Sequence, residues 1–219
     1  MSERPFPQVL RTRIKFCGLT RLQDALAAAA LGVDALGFVL VPQSPRWISP
    51  SAAAAIRRQL PPLLTGVALF RNAEADFVRE ALRQLGPVLL QFHGDEPPDY
   101  CALFGLPYVK AVAMAEPQDL SKLAATYADA QALLLDGHGA SSMGGSGQVF
   151  DWKKVAPVNK PLILAGGLNA MNVADAIARV RPYAVDVSSG IEATPGQKDV
   201  EKMRAFVSQV RRADHELNS

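Results

Sequence analysis

The chain has 219 residues, 49% of them hydrophobic and 20% charged, which is enough to bury one sizeable core in a single domain. Its net charge of +2 excludes the strongly basic footprint of a nucleic-acid-binding protein, and no apolar run has the length of a membrane span. Two cysteines cannot build a disulfide framework, so we expect a reducing compartment, the cytoplasm.

Both ends of the chain fall outside any periodic pattern. Residues 1–12 carry prolines and charges but no apolar signal core, so we expect a loose amino-terminal extension and no secretion signal. Residues 214–219 are polar and predict a frayed tail. The prediction is one domain over 1–219, with its regular structure between these two segments.

The first strand is predicted at Arg13–Cys17 by alternation with a period of two, and a helical pattern follows at Arg21–Leu31. Lys15 and Cys17 share one face of this strand. A thiol therefore stands at the carboxyl end of the strand, a position where catalytic residues collect in parallel α/β proteins. The alternative interpretation of Cys17 is a small buried hydrophobic residue.

Seven more strand-and-helix units follow. Short apolar strands are predicted at Ala35–Val41, Leu64–Phe70, Val88–His93, Tyr108–Met114, Ala132–Asp136, Leu162–Gly166 and Ala184–Ser188. Helical patterns alternate with them, with a shortened one at Asp151–Val155 and the last near Lys198–Ala213. This alternation predicts an α/β protein with a parallel sheet covered by helices, a single-domain (β/α)8 TIM barrel. A doubly wound open sheet is the alternative, but no Gly-x-Gly-x-x-Gly follows the first strand.

Polar residues and glycines gather where these strands end, at the catalytic rim of such a barrel. They are Cys17, Arg46, Gln91, His93, Asp136, Gly166, Gly167, Ser189 and Gly190. Their common position predicts one site at the barrel mouth. No cluster of His, Cys, Asp or Glu has metal-ligand spacing, so we expect neither a metal nor another cofactor.

The glycines after the last two strands predict a phosphate site. Gly166 and Gly167 follow the seventh strand, and Ser189 and Gly190 follow the eighth. Glycine lets backbone N–H groups approach an anion closely, and these two loops hold phosphate in many barrels of this type. The alternative is that Gly166 and Gly167 only turn a tight loop.

Two residues are candidates for acid–base chemistry. Asp136 ends an apolar strand, where partial desolvation favours the protonated form that a general acid requires. Cys17 lies across the barrel mouth and could act as a base, provided that a cation or helix dipole lowers the pKa of its thiol. The alternative for Asp136 is a carboxylate held by the amides of residues 137–139. The second cysteine, Cys101, is interpreted as helix packing.

Lys15 and Asp186 are a matched pair of opposite charge on the first and eighth strands, which a closed barrel makes neighbours. A buried lysine without a partner is costly, so we expect an ion pair inside the barrel. The pair is either structural or supplies charge near Cys17, and the sequence does not separate these roles.

Three further residues are candidates for substrate binding. Arg46 follows Pro45 in an exposed loop, where its fork of donors suits a carboxylate or phosphate, although a plain surface arginine is equally compatible. Gln91 and His93 share one face of the fourth strand and are candidates for lining the pocket. A satisfied core histidine is the alternative for His93.

Six motifs follow one another along the chain: Lys15–Thr20, Ser44–Arg46, Gln91–Glu96, Phe150–Trp152, Leu164–Asn169 and Asp186–Glu192. Together and in this order they resemble the phosphoribosylanthranilate isomerase family of tryptophan biosynthesis. The resemblance extends from the first strand to the last helix. It implies conversion of N-(5-phosphoribosyl)anthranilate to 1-(2-carboxyphenylamino)-1-deoxyribulose 5-phosphate by an acid- and base-catalysed Amadori rearrangement.

The resemblance also implies roles for individual residues. The residue that matches Cys17 is the general base that takes the C2′ proton, and the one that matches Asp136 is the general acid that protonates the ring oxygen. Arg46 would hold the anthranilate carboxylate, and amides near the paired glycines would hold the phosphate. The implied partner is a small phosphosugar, with no nucleic acid or membrane, and we expect a monomer, with a homodimer as the alternative.

Two other functions compete with this interpretation. The histidine-pathway isomerase runs the same chemistry on an aminoimidazole, but that family resembles a barrel with aspartates at both the first-strand and sixth-strand positions, and Cys17 argues against it. A non-catalytic phosphosugar-binding barrel would need only the phosphate loops. Departures from the family pattern are small: Phe16, Phe92 and a serine within Gly144–Gly147.

Overall fold

Eight parallel strands close into a barrel in the computed structural model, which describes residues 11–137 and 150–219. Strands β1 to β8 are Arg13–Cys17, Ala35–Val39, Thr65–Phe70, Leu89–Phe92, Tyr108–Ala113, Ala132–Asp136, Leu162–Leu164 and Ala184–Val187. Each strand pairs with its sequence neighbours, and β1 pairs with β8 to complete the ring. The predicted (β/α)8 barrel is confirmed, and the open sheet is wrong.

Helices cover the barrel between its strands. Helices α1 to α7 are Leu22–Ala30, Pro50–Arg57, Ala75–Leu85, Pro98–Ala102, Leu120–Thr126, Val173–Val180 and Val200–Asn218. Between β6 and β7 the described residues form a single 3₁₀ turn, Trp152–Lys154, as the shortened pattern there predicts. None of the described helices combines the length and hydrophobicity of a membrane span.

A short hairpin absent from the sequence prediction lies between β8 and α7. Its strands, β9 at Glu192–Thr194 and β10 at Gln197–Lys198, pair antiparallel. The turn between them contains Pro195 and Gly196, and Gly196 has a φ of +79° that favours glycine. The hairpin places Glu192 and Lys198 beside the barrel mouth.

Apolar side chains fill both faces of the strands. Leu134 belongs to the cluster inside the barrel, whereas Leu133 and Leu135 belong to the larger cluster between strands and helices. This division follows from the alternation of side chains along a strand. Phe16 of β1 packs outward on Phe206 of α7, with ring centroids 6.1 Å apart. The barrel wall is therefore held from both sides and gives the rim a rigid support.

The carboxyl-terminal helix reaches the start of the first strand. Asp214 accepts hydrogen bonds from the backbone N–H of Thr12 at 2.9 Å and from its hydroxyl at 2.6 Å. The predicted frayed tail at 214–219 is wrong up to Asn218, because these contacts dock the last turns of α7. Thr12 is buried, and residues 1–10 of the predicted extension lie outside the described residues.

Candidate active site

A cavity opens at the carboxyl ends of the strands. It is lined by Cys17, Val39, Val41, Ser44, Arg46, Leu69, Arg71, Gln91, His93, Asp136, Ala165, Gly166, Gly167, Leu168, Asp186, Val187, Ser188 and Ser189. The cavity walls include eight of the nine rim residues that the sequence predicts, all except Gly190, which directly follows Ser189. The strand ends thus bring residues from the whole length of the chain to one site.

Cys17 lies buried at the end of β1, beside an ion pair. The Lys15 ammonium donates to both carboxylate oxygens of Asp186 at 2.9 Å, because the β1–β8 register sets these two residues opposite each other. The expected Lys15–Asp186 pair is therefore present. A Cβ at Gly37 would stand 2.8 Å from Cys17 Sγ and 3.1 Å from Lys15 Nζ, so glycine at this position leaves room for both groups.

Burial raises the pKa of the Cys17 thiol, although Lys15 and Lys198 act in the opposite direction. The lowered pKa that a nearby cation predicts is therefore wrong for this structure: the cation is present, but desolvation outweighs it and Asp186 opposes it. Burial would lower the pKa of Lys15, yet Asp186 and Cys17 together raise it. Lys15 thus stays charged beside Cys17 and offsets part of the effect of burial on the thiol.

Asp136 ends β6 on another part of the cavity wall and has a histidine partner. His93 Nε2 lies 3.3 Å from an Asp136 carboxylate oxygen, and His93 Nδ1 lies 3.0 Å from the amide nitrogen of Gln91. An amide donor at Nδ1 favours the tautomer with its hydrogen on Nε2, directed at the carboxylate. His93 is therefore part of the pocket and not a core histidine.

Gly166 allows the loop after β7 to approach Asp136. It has a φ of +79°, and a Cβ there would stand 2.9 Å from an Asp136 carboxylate oxygen and would clash with the backbone nitrogen of Gly137. The alternative in which amides of residues 137–139 hold Asp136 involves residues 138 and 139, which lie outside the described residues.

Arg46 is buried, so the exposed surface arginine considered from the sequence is wrong. Its Nε and Nη2 donate to the two carboxylate oxygens of Glu192 at 2.9 and 2.8 Å. Arg46 also lines the cavity, where it presents a cation held in a fixed plane. Glu192 falls inside a motif of the resemblance, but no local pattern ties it to a residue 146 positions earlier.

The loops after β7 and β8 are built from small residues and approach each other closely. Gly166 and Gly167 both have positive φ, and Ser189 starts a 3₁₀ turn that ends at Ile191. A Cβ at Gly190 would clash with the carbonyl oxygen of Leu168, so glycine allows the two loops to touch. Small residues of this kind allow backbone N–H groups to approach an anion closely.

Sequence reasoning missed several cavity residues. Arg71 follows β3 and adds a second arginine to the wall, and Ser44 comes from the loop that carries Arg46. The signal for Arg71 was its position directly after a predicted strand. Within residues 11–137 and 150–219 no group of three or more His, Cys, Asp or Glu could hold a metal ion.

Known proteins resemble this chain over nearly its whole length. Residues 14–209 match the family described as N-(5'phosphoribosyl)anthranilate (PRA) isomerase. The N-(5'-phosphoribosyl)anthranilate isomerase of Nitrosococcus oceani is 50% identical over 200 residues, covering 90% of this chain and 97% of the relative. That of Acidithiobacillus ferrooxidans is 53% identical over 199 residues, covering 91% and 97%.

Solved structures agree with the sequence relatives. The phosphoribosyl anthranilate isomerase of Thermus thermophilus superimposes with a TM-score of 0.83 at 40% identity, covering 92% of this chain and 99% of that one. A second such isomerase, in complex with reduced 1-(o-carboxyphenylamino)-1-deoxyribulose 5-phosphate, gives 0.78 at 36% identity and the same coverage.

Proposed function

Because the chain belongs to the phosphoribosylanthranilate isomerase family and isomerises N-(5'-phosphoribosyl)anthranilate in tryptophan biosynthesis, we propose that Cys17 and Asp136 perform its proton transfers. The observation that carries this proposal is their placement. Both end a barrel strand, both line the same cavity, and polar side chains lie beside them, Lys15 beside Cys17 and His93 beside Asp136. A base and an acid on different walls can act on different atoms of one substrate.

In the proposed mechanism Asp136 gives a proton to the ribose ring oxygen, the C1′–O bond breaks, and the lone pair of the anilino nitrogen forms a C=N bond, which gives an iminium ion. The Cys17 thiolate then takes the C2′ proton, and the electron pair of that C–H bond moves into a C1′=C2′ bond and returns the C=N electron pair to nitrogen, which gives a neutral enolamine. Tautomerisation of the enolamine yields the ketose. One proton is given and one is taken, so the chemistry is an isomerisation without net oxidation.

The two charged ends of the substrate have separate sites in this proposal. Arg46 holds the anthranilate carboxylate, and the backbone around Gly166, Gly167, Ser189 and Gly190 holds the phosphate. Gln91 and His93 line the same cavity and are hydrogen-bonded to each other. Ring opening and proton abstraction then occur at carbons that lie between two anchored groups, which keeps the reacting atoms near both catalytic residues.

We further propose that the enzyme works as a single domain and a monomer in the cytoplasm. The two buried free thiols of Cys17 and Cys101 fit a reducing compartment. A relative from Thermotoga maritima is described as dimeric, so the homodimer is the competing state. Sedimentation at working concentration distinguishes the two states.

The test of the catalytic proposal compares two cysteines. Cys17→Ser removes the thiolate, so kcat for phosphoribosylanthranilate should fall by about 10²–10⁴-fold, measured by the loss of anthranilate fluorescence, with little change in product-analogue binding. Cys101→Ser is the matched control, since Cys101 is buried in α4 and burial raises its pKa to about 12. An active Cys17→Ser enzyme would refute the assignment.

A further inference from the structure

Glu192 is a buried carboxylate that the proposed mechanism leaves without a role. It stands at the start of β9 with only 6% of its surface exposed. Arg46 donates to it through Nε and Nη2 in two parallel bonds of 2.9 and 2.8 Å. Such a fork fixes the plane of the guanidinium as well as its position.

A second cation shares this carboxylate. Lys198 Nζ lies 2.8 Å from Glu192 Oε1, with none of its side chain exposed, and also donates to the carbonyl of Ser188 at 3.1 Å. Burial opposes the charge on Glu192, yet the bonds from Arg46 and Lys198 lower the pKa of its carboxyl. Glu192 therefore stays charged beside the Arg46 guanidinium, whereas burial lowers the pKa of the Lys198 ammonium.

Hydrogen bonds attach the hairpin that carries Glu192 to the barrel. The Gly196 backbone N–H donates to Glu192 at 3.2 Å, and the Thr20 hydroxyl donates to the Gly196 carbonyl. The backbone N–H of Lys198 donates to Asp24 of α1 at 3.0 Å. Position 192 is thereby fixed relative to the loop that follows Cys17.

Arg46 has little freedom to move away from this arrangement. A Cβ at Gly18 would stand 2.6 Å from its Cδ, so the side chain runs directly over the end of β1. Glu192 accepts from Nε–H and from one N–H of Nη2, which leaves both N–H groups of Nη1 and the second one of Nη2 for a ligand in the cavity that Arg46 lines. Without Glu192 nothing would fix the plane of the guanidinium, and no carboxylate would stand between Arg46 and Lys198.

We propose that Glu192 is a positioning residue that orients Arg46 toward the ortho carboxylate of the substrate and so sets the preference for an anthranilate over an aniline. The inference rests on the proposed role of Arg46. Glu192 acts through Arg46 and touches no reacting atom, so its loss should weaken carboxylate recognition while leaving the proton transfers in place.

The test uses two product analogues and the full-length enzyme. One is the reduced 1-(2-carboxyphenylamino)-1-deoxyribulose 5-phosphate, and the other carries a phenyl group without the carboxylate. Glu192→Gln should weaken binding of the first by about tenfold, the low end for a hydrogen bond to a charged group, and leave the second unchanged. In the double variant with Arg46→Ala, the loss should be no larger than with Arg46→Ala alone.

Controls separate this role from a structural one. Glu192→Asp keeps the charge on a shorter side chain, so it should weaken binding of the carboxylate analogue less than Glu192→Gln does. It serves as the second variant if Glu192→Gln folds poorly. Lys198→Met removes the other partner of the carboxylate and should keep the preference for the carboxylate analogue. The inference would be overturned if Glu192→Gln weakened binding of both analogues equally, or if Lys198→Met weakened binding of the carboxylate analogue as much as Glu192→Gln does. Either result would leave the proposed role of Arg46 in place. A wild-type enzyme that binds the two analogues equally would refute the role of Arg46, and this inference with it.

Discussion

Replacing Lys15 with methionine tests whether the charge beside Cys17 sets the pH at which the enzyme works. Nζ and Sγ lie 3.1 and 2.8 Å from the position of a Gly37 Cβ, so they are within about 6 Å of each other. At that separation and an effective dielectric constant of about 20, a charged lysine and a thiolate attract by about 3 kcal/mol. Methionine keeps the apolar stem and removes this attraction.

The sign of the effect follows from the chemistry of a thiolate base. Activity falls as the pH drops through the pKa of Cys17, and Lys15→Met raises that pKa, so the acid limb of kcat/KM moves to higher pH. Well below the limb, 3 kcal/mol corresponds to about a hundredfold loss in kcat/KM. Asp186→Asn should move the limb to lower pH. The double variant should lie between Lys15→Met and wild type, because Lys15 affects Cys17 more than Asp186 does.

The assay follows anthranilate fluorescence over the pH range in which each variant stays folded. Lys110→Met is the matched control, since Lys110 is also a buried lysine paired with a carboxylate, Glu96, at 3.5 Å, but its charge acts on Cys101. Each variant breaks a buried pair and should lose about 3–5 kcal/mol of stability. The reasoning would be refuted if the acid limb of kcat/KM stayed at the same pH in Lys15→Met, or if it moved equally far in Lys110→Met.

Three other variants test the remaining parts of the site. Asp136→Asn should lower kcat by about 10²–10⁴-fold with analogue affinity retained, and near wild-type kcat would show that ring opening does not need this group. Arg46→Ala should weaken substrate binding by about 1.5–3 kcal/mol, seen as a raised KM, and an unchanged KM would contradict its role. Gly166→Ala should lower both the Tm and the affinity for inorganic phosphate, because the residue has a φ of +79° and a Cβ would clash with Gly137. An unchanged Tm would show that the loop relaxes freely.

The strand order was predictable because the signal for each strand is local. Every strand is a short apolar run that a helical pattern separates from the next, and the ring follows from their number and length. The ends of strands are less well determined. The second strand was predicted to Val41 and ends at Val39, and the seventh was predicted to Gly166 and ends at Leu164. A residue with the positive φ of Gly166 cannot continue a strand.

The site residues were predictable to the extent that position on a strand determines them. Cys17, Asp136 and His93 each stand at or just after a strand end, so the barrel alone brings them to one rim. The partner of Arg46 was not predictable in this way. Glu192 lies on a strand of three residues, too short for alternation to show, and only the folded hairpin places it against Arg46.

The pKa of Cys17 depends on the balance between desolvation of the thiol and the charge of Lys15. The sequence does not give the relative size of these two effects. Lys15 was predicted on the same face, and it is there. The desolvation of the thiol depends on how closely β2 approaches, and Gly37 allows that approach. A cation in the right place therefore did not determine the direction in which the pKa moves.

Two contacts near the first strand join residues that lie far apart in the chain. Thr12 and Asp214 are 202 residues apart, and Lys15 and Asp186 are 171 apart, so both pairs form only after the intervening chain has been ordered. During synthesis Cys17 leaves the ribosome early, long before its neighbours on β8 exist. The complete barrel therefore encloses Cys17 only after β8 has been synthesised.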